Sequence, residues 1–198
     1  MKLLIVRHGA TEWSLTGQHT GKTDIPLTEL GVKQAGLARR AAVRLVGDEL
    51  ETAAVFTSPL QRARKTAEAV MARPNSEFTV TENLLEYDYG QYEGLTPGQI
   101  RELRPGWDIW RDGCPGGESP EDVGARAHAF IKQVEQEDRL VVAFAHGHII
   151  RILGACAVGL PAAQGQIFTL DTATLSVIED VRGKRVIKTW NLDPRLVR

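Results

Sequence analysis

Two histidines follow apolar runs at points where buried strands are expected to end. His8 comes after residues 3–6 and is preceded by Arg7. His146 comes directly after residues 140–145. In an open α/β sheet, ligands bind in the crevice at the carboxyl ends of the strands, so both imidazoles are expected at one site. An imidazole can attack phosphorus through a neutral ring nitrogen, or donate a hydrogen bond to a phosphoryl oxygen.

Two arginines are expected near these histidines. Arg7 precedes His8, and Arg62 lies near the start of a predicted helix. A guanidinium is a planar fork that binds phosphate oxygens in pairs, so two of them can neutralise a phosphoryl group without a metal. Their charge also lowers the pKa of His8 and favours its neutral, nucleophilic form. The second ring nitrogen of His8 is expected to be held by a backbone carbonyl.

A leaving alkoxide requires a proton donor, and one acidic segment supplies candidates. Glu86 is favoured because apolar and aromatic neighbours, which surround it in residues 84–90, suit a carboxyl that donates a proton near neutrality. Asp88 and Glu93 compete for the same role, and residue types alone do not choose among the three carboxyls.

The charge balance restricts the classes of partner. The formal net charge is −1 and the sequence pI is about 6.5, so no strong field would attract nucleic acid or an anionic membrane. An anionic ligand must therefore be bound by a local cluster of basic residues. The partner expected on this basis is a small-molecule phosphate ester, with no nucleic acid and no membrane.

Length and cysteine usage predict a single domain over residues 1–198 in a reducing compartment. Cys114 and Cys156 lie far apart and match no metal or redox spacing. The apolar start is interrupted after four residues, which is too short for a secretory signal, and no stretch approaches a membrane span. We therefore expect a cytoplasmic protein with no metal and no other cofactor.

The elements that position these residues alternate along the chain. Strands are predicted at residues 2–6, 53–57, 140–145 and 175–179, separated by longer amphipathic segments. This alternation predicts an α/β three-layer sandwich with a mostly parallel sheet. The segment 170–190 is rich in β-forming residues and is broken by a glycine, which predicts a hairpin antiparallel to the rest.

Helix starts are marked by capping residues. The first long helix is predicted to begin at Thr28 and to end at Gly47. A second is predicted to begin at Ser58 and Pro59, a cap residue followed by proline, and Ser119 repeats this signal. A last helix is predicted after residues 146–148.

These motifs together resemble the histidine phosphatase superfamily, which is also called phosphoglycerate mutase-like. Its order and spacing are matched by residues 4–9, 58–67, the Glu86 segment and residues 145–147, and the resemblance extends from Leu3 to about Arg151. It implies a phosphohistidine on His8 and no metal. The resemblance also implies that Arg7, Arg62 and His146 form the phosphate pocket. It implies that Glu86 is the proton donor.

Three short segments look like the phosphate-side loop of this family: residues 11–14, 17–21 and 23–28. Ser14 stands where the mutases carry an asparagine. A hydroxyl would therefore donate the hydrogen bond to the phosphate at that position. The substrate contacts that we predict from this loop are Ser14, Thr20 and Gly21.

Two other segments, residues 107–118 and 144–151, resemble the sedoheptulose-bisphosphatase branch and related bacterial broad-specificity acid phosphatases. Gly147 and His148 are predicted to contact the substrate. Trp110 and Arg111 lie in what should be a lid over the pocket, so both are predicted to recognise a sugar.

The predicted function is a metal-independent phosphatase that hydrolyses phosphate monoesters of small metabolites, particularly sugar phosphates, through a phosphohistidine. One alternative is phosphoglycerate mutase-type transfer, against which the short segment between Gly94 and Glu118 argues, because mutases tend to have a longer insertion there. The other is a non-catalytic protein that binds a phosphorylated ligand. The C-terminal hairpin also suggests a homodimer formed through an exposed strand.

Overall fold

The computed structural model describes residues 1–197, which form a six-stranded sheet with strand order β3-β2-β4-β1-β5-β6. The strands are β1 (Lys2–Arg7), β2 (Ala54–Thr57), β3 (Thr79–Val80), β4 (Val141–Ala145), β5 (Leu175–Val181) and β6 (Lys184–Leu192). The first four in spatial order are parallel, whereas β5 runs antiparallel to β1 and pairs with β6 as a hairpin. This confirms the predicted mostly parallel sheet and its antiparallel C-terminal hairpin.

Helices cover both faces of the sheet. They are α1 (Glu12–Thr16), α2 (Glu29–Val46), α3 (Gln61–Met71), α4 (Pro97–Leu103), α5 (Ile109–Asp112), α6 (Pro120–Val134) and α7 (Gly147–Ala157). Alternate residues of β1 face opposite layers, because side chains along a strand alternate between its two faces. Leu4 and Val6 pack with α2 and α3, whereas Leu3 and Ile5 pack with α6 and α7. The predicted three-layer sandwich is thereby confirmed.

The helix caps explain where most helices begin. The Thr28 side chain accepts a hydrogen bond from Gly31 N at the start of α2, and Ser119 forms a reciprocal capping box at the start of α6. No helix within residues 1–197 combines the length and the apolar composition that a bilayer crossing requires.

One predicted helix start was wrong, and one short strand was missed. Helix α3 begins at Gln61 rather than at Ser58 and Pro59, because the Ser58 hydroxyl is bonded to a distant imidazole and lies 3.4 Å from Leu60 N. The short strand β3 was not predicted, since two residues are too few to show an alternating pattern.

A close contact between two glycines fixes the loop after β1. A Cβ atom on Gly9 would lie 2.3 Å from the carbonyl oxygen of Gly31, and one on Gly31 would lie 2.2 Å from that of Ala10. Only glycine permits this approach of the loop to the first turn of α2. The contact holds His8, next to Gly9, at the end of its strand.

Candidate active site

The parallel pairing of β1 with β4 brings two histidines together at one edge of the sheet. Arg7 is in register with Ala145, so the next residues along the two chains, His8 and His146, lie side by side. Their ring centroids are 5.1 Å apart, and both side chains are buried. The two imidazoles therefore lie together at one edge of the sheet, where the sequence predicted them.

His8 is held as a neutral ring with one nitrogen free. Its Nδ1 lies 2.7 Å from the carbonyl oxygen of Gly9, and a carbonyl only accepts, so Nδ1 carries the proton. Burial lowers the pKa of His8 well below its usual value, and the charges of Arg62 and Arg7 lower it further. The lone pair is consequently on Nε2. This confirms the predicted backbone carbonyl partner.

His146 is fixed in the opposite tautomer. Arg62 Nε donates to its Nδ1 over 3.1 Å, and because a guanidinium cannot accept, Nδ1 carries no proton. The proton on Nε2 is then donated to Ser58 Oγ, 2.7 Å away. Burial, followed by the charge of Arg62, lowers the pKa of His146 well below its usual value.

Ser58 was absent from the predicted site, although its position contained a signal. It follows β2 directly, and β2 neighbours β4 in the parallel sheet, so Ser58 emerges at the same edge as His8 and His146. The sequence suggested a helix cap instead, because serine before proline is typical of that position.

Arg62 is fully buried and mostly occupied by protein acceptors. Its Nη1 donates to Thr23 O, and its Nη2 donates to Thr20 O and Gly21 O, at 2.9 to 3.0 Å. Together with the bond to His146, these contacts use four of its five N–H groups and leave one on Nη1 within residues 1–197. The Arg62 guanidinium therefore binds the loop 20–23 to the sheet edge. It does not present the pair of free N–H groups that was expected to bind phosphate oxygens.

Arg7 has more donors available. Its Nη1 donates to Leu170 O over 2.6 Å, whereas its Nε is buried and meets no acceptor within residues 1–197. Burial lowers the pKa of Arg7, and the charge of Glu86 opposes that effect. An unpaired buried donor is costly, and because this nitrogen has almost no accessible surface, the donors of Arg7 that a ligand could reach are those of its terminal nitrogens.

A cavity of about 250 Å³ opens onto this edge of the sheet, and it distinguishes the three candidate carboxyls. Glu86 lines the cavity together with Arg7 and His8, whereas Asp88 and Glu93 do not line it. Asp88 accepts from Gly90 N and pairs with Lys22, and Glu93 accepts from the amides of Gly21 and Thr23. Geometry thus singles out Glu86.

The surroundings of Glu86 differ from the expected apolar ones. Its carboxylate accepts hydrogen bonds from the amides of His148 and Ile149 at the start of α7, over 3.0 to 3.1 Å, and from the amide of Tyr87. A Cβ on Gly147 would lie 3.4 Å from Glu86 Oε2 and 3.5 Å from Arg7 Cζ, so a larger residue would crowd this contact. These helix amides are about 60 positions away, and the local sequence gives no sign of them.

The phosphate-side loop is only partly directed at the cavity. Ser14 and Thr20 line it, but the Ser14 hydroxyl already donates to Thr11 O over 2.8 Å and accepts from Thr11 N. Gly21 lies outside the cavity, where its carbonyl accepts from Arg62.

A second cavity of about 400 Å³ adjoins the first and contains part of the predicted lid. Trp110 and His148 line it, and the His148 Nδ1 lies 2.8 Å from the Tyr89 hydroxyl oxygen. Arg111 lines neither cavity, because it is exposed and bonded to Asp112 and to Gly106 O. Its position therefore gives no support to a role in sugar recognition.

The neutral imidazole of His8, the guanidinium of Arg7 and the carboxyl of Glu86 line one cavity, whereas Arg62 and His146 lie outside its lining. These groups suit attack on phosphorus, neutralisation of phosphoryl oxygens and proton transfer to a leaving oxygen. Within residues 1–197, no three His, Cys, Asp or Glu side chains converge in a group that could hold a metal ion.

Comparison with known proteins places this geometry in context. A sequence profile of the histidine phosphatase superfamily (branch 1) matches residues 3–193. An acid phosphatase of Mycobacterium tuberculosis is 39% identical over 96% of this chain and 92% of its own length. The sedoheptulose 1,7-bisphosphatase of Saccharomyces cerevisiae is 36% identical over 80% of this chain and 68% of its own length.

A solved structure supports the same relationship. The product of an open reading frame from Mycobacterium tuberculosis superposes with a TM-score of 0.90 at 38% sequence identity. The superposition covers 98% of this chain and 98% of the other. The likeness therefore extends through both layers of helices and the whole sheet.

Proposed function

This chain belongs to branch 1 of the histidine phosphatase superfamily and hydrolyses phosphate monoesters, and we propose that His8 is its phosphorylated nucleophile. One observation carries this assignment. The bond from His8 Nδ1 to Gly9 O leaves an unprotonated Nε2 beside Arg7, at the edge of the cavity that Glu86 also lines. Nucleophile, cationic donor and proton donor thus belong to one cavity.

In the first step, His8 Nε2 forms a bond to phosphorus while the bond from phosphorus to the ester oxygen breaks. Arg7, and the remaining N–H of Arg62, donate to the phosphoryl oxygens and offset their charge. Glu86 gives its proton to the leaving oxygen, so an alcohol departs rather than an alkoxide.

In the second step, water attacks the phosphorus of the phosphohistidine. Glu86, now a carboxylate, takes a proton from that water as the bond from phosphorus to His8 breaks. Inorganic phosphate is released and the neutral imidazole is restored. His146 stays neutral, and its two hydrogen bonds keep Arg62 and Ser58 in place.

The substrates that we propose are small sugar phosphates. Support comes from the relative named for a sugar bisphosphate, and from a cavity lined by polar and aromatic side chains that suit a hydroxylated leaving group. The closely similar acid phosphatase supports a hydrolase without naming its ester.

The test is phosphate release in the presence of EDTA from a sugar bisphosphate, a sugar monophosphate, 3-phosphoglycerate and an aryl phosphate. We expect His8→Ala to abolish release from every ester, and His128→Ala, a change at an exposed histidine of α6, to leave it unaltered. Wild-type protein mixed with labelled ester and quenched in base should retain label, because a phosphorus–nitrogen bond on imidazole survives base and not acid. Full activity of His8→Ala would remove His8 from the mechanism, and transfer to 3-phosphoglycerate in place of release would favour the mutase-type alternative.

A homodimer is also proposed. Strand β6 is at the end of the sheet, and its outer edge has no neighbouring strand within residues 1–197. Light scattering coupled to gel filtration tests this: a monomer mass at micromolar concentration would contradict it.

A further inference from the structure

The segment that carries Glu86 has no regular structure of its own. Residues 85–89 of the described chain belong to no helix or strand, so no regular series of backbone hydrogen bonds fixes them. A proton donor must be placed accurately, because a displacement of about 1 Å can cost roughly 100-fold in rate. The backbone groups of this segment must therefore find their partners elsewhere in the molecule.

One arginine of α6 binds the carbonyl groups around Glu86. The Arg126 Nη1 donates to Leu85 O over 2.9 Å and to Asn83 O over 3.3 Å. Its Nη2 donates to Glu86 O over 3.3 Å. Its Nε and Nη2 also donate to the two carboxylate oxygens of Glu118, over 2.7 and 2.9 Å. A guanidinium has five N–H groups, so every donor of Arg126 has an acceptor.

Glu118 extends this set of bonds to the residues after Glu86. Its Oε2 accepts from Asp88 N over 2.8 Å, and its own amide donates to Asp88 O over 2.9 Å. The two segments lie backbone to backbone, since a Cβ on Gly117 would lie 2.1 Å from Asp88 O. Arg126 and Glu118 together thus bind the chain on both sides of Glu86.

Glu86 is held from two helices. Arg126 on α6 binds its backbone carbonyl, and amides at the start of α7 bind its carboxylate. Within residues 1–197, Arg126 and Glu118 are absent from the lining of the His8 cavity. They line a separate cavity of about 170 Å³, which Glu86 also lines. Their effect on a phosphoryl group at His8 must therefore pass through the segment that carries Glu86.

We propose that Arg126, joined to Glu118, is the positioning residue for the proton donor Glu86. The pair keeps the Glu86 carboxyl within reach of the ester oxygen, so that its proton can pass to the leaving group. Two parallel bonds between a guanidinium and a carboxylate fix direction as well as distance. The side chains of Arg126 and Glu118 are 21% and 20% exposed, so the pair is shielded from most of the water that weakens a surface pair. The inference rests on the proposed function, since it concerns the proton that Glu86 donates.

The test is Arg126→Lys, which keeps the charge and loses the planar fork. An ammonium has three N–H groups, too few for the five bonds that Arg126 makes. The quantity to measure is kcat/KM, because it reports the first step, in which the leaving oxygen takes the proton. For an alkyl phosphate it should fall about 10- to 100-fold, part of the roughly 10²- to 10⁴-fold that a general acid contributes. For a nitrophenyl phosphate, whose phenolate leaves without a proton, it should change less than about 3-fold.

The same substitution at another helix provides a matched control. Arg39 on α2 donates to Val70 O and pairs with Glu51, and it lies outside the His8 cavity. Arg39→Lys should therefore match wild type on both esters. Urea unfolding of each variant establishes that the protein assayed is folded.

A double variant determines whether Arg126 acts through Glu86. Glu86→Gln removes the proton transfer, so adding Arg126→Lys should lower kcat/KM for the alkyl ester by no more than about 2-fold further, because residues that act as a unit are not additive. Glu118→Asp, whose carboxylate lies one methylene group nearer its own backbone, should repeat the pattern of Arg126→Lys. It decides the question by the same ratio of esters if Arg126→Lys does not fold.

The outcomes separate the two proposals. No phosphate release by wild-type protein, or equal losses of Glu86→Gln on both esters, would overturn the proposed roles and this inference with them. A loss of Glu86→Gln that is specific to the alkyl ester, combined with equal losses of Arg126→Lys on both esters or with additive losses in the double variant, would overturn the positioning role alone.

Discussion

Replacing Glu86 with glutamine separates proton transfer from binding at this site. Three amides, from Tyr87, His148 and Ile149, donate to Oε1, and within residues 1–197 Oε2 takes part only in a second bond from His148. A glutamine whose carbonyl oxygen replaces Oε1 keeps the three bonds to that atom, but its NH2 group replaces Oε2 and cannot accept from His148 N. The stability loss should therefore be about 1 kcal/mol, the effect of losing one hydrogen bond at the start of α7.

The kinetic effect should depend on the leaving group. A positioned general acid contributes roughly 10²- to 10⁴-fold, equivalent to about 3 to 5 kcal/mol of transition-state stabilisation. Glu86→Gln should lose that factor on alkyl and sugar phosphates, whose oxygens need a proton to depart. An aryl phosphate bearing a nitro group releases a stable phenolate, so its loss should remain below about 10-fold.

The assay is steady-state phosphate release for one alkyl and one nitrophenyl ester by wild type, Glu86→Gln and Asp88→Asn. Asp88 is the matched control, because it lies two positions away and outside the His8 cavity. Equal losses of Glu86→Gln on both esters would refute its role as proton donor. A loss specific to the alkyl ester in Asp88→Asn would transfer that role to Asp88.

Two further predictions concern the buried histidines. Ser58→Ala leaves the His146 N–H without its acceptor, so the free energy of unfolding in urea should fall by about 1 to 3 kcal/mol. Ser58→Thr keeps the hydroxyl and should recover much of that loss. A change below about 0.5 kcal/mol in Ser58→Ala would refute the bond. Burial lowers the pKa of His19 to about 4, so below its ordinary value of 6.5 the unfolded chain binds a proton that the folded chain does not. The stability that depends on neutral His19 is complete above pH 6.5 and is lost as the pH falls towards 4. Between pH 7 and 5 this should lower the free energy of unfolding by about 2 kcal/mol. His19→Phe should show a correspondingly shallower loss of stability over that range, and an identical slope would contradict the shift.

The sequence alone determined the layers of the fold and two central residues of the site. Apolar runs identify β1 and β4, and the capping residues Thr28 and Ser119 identify the starts of α2 and α6. These signals are local, because periodicity and caps depend on residues within a few positions of one another. The two histidines could be placed at one edge since each follows its strand immediately.

The tertiary structure decided what each group bonds to. The spatial order of β2, β4 and β1 brings Ser58 to His146, and α7 supplies the amides that receive Glu86. Packing of the lid segment against α7 joins Trp110 to Arg151 and leaves that arginine at the wall of the second cavity. Such contacts join residues 40 to 90 positions apart. Hydrophobic patterning leaves these partners undefined, because the same pattern of buried and exposed residues is compatible with several arrangements of polar groups at the strand ends.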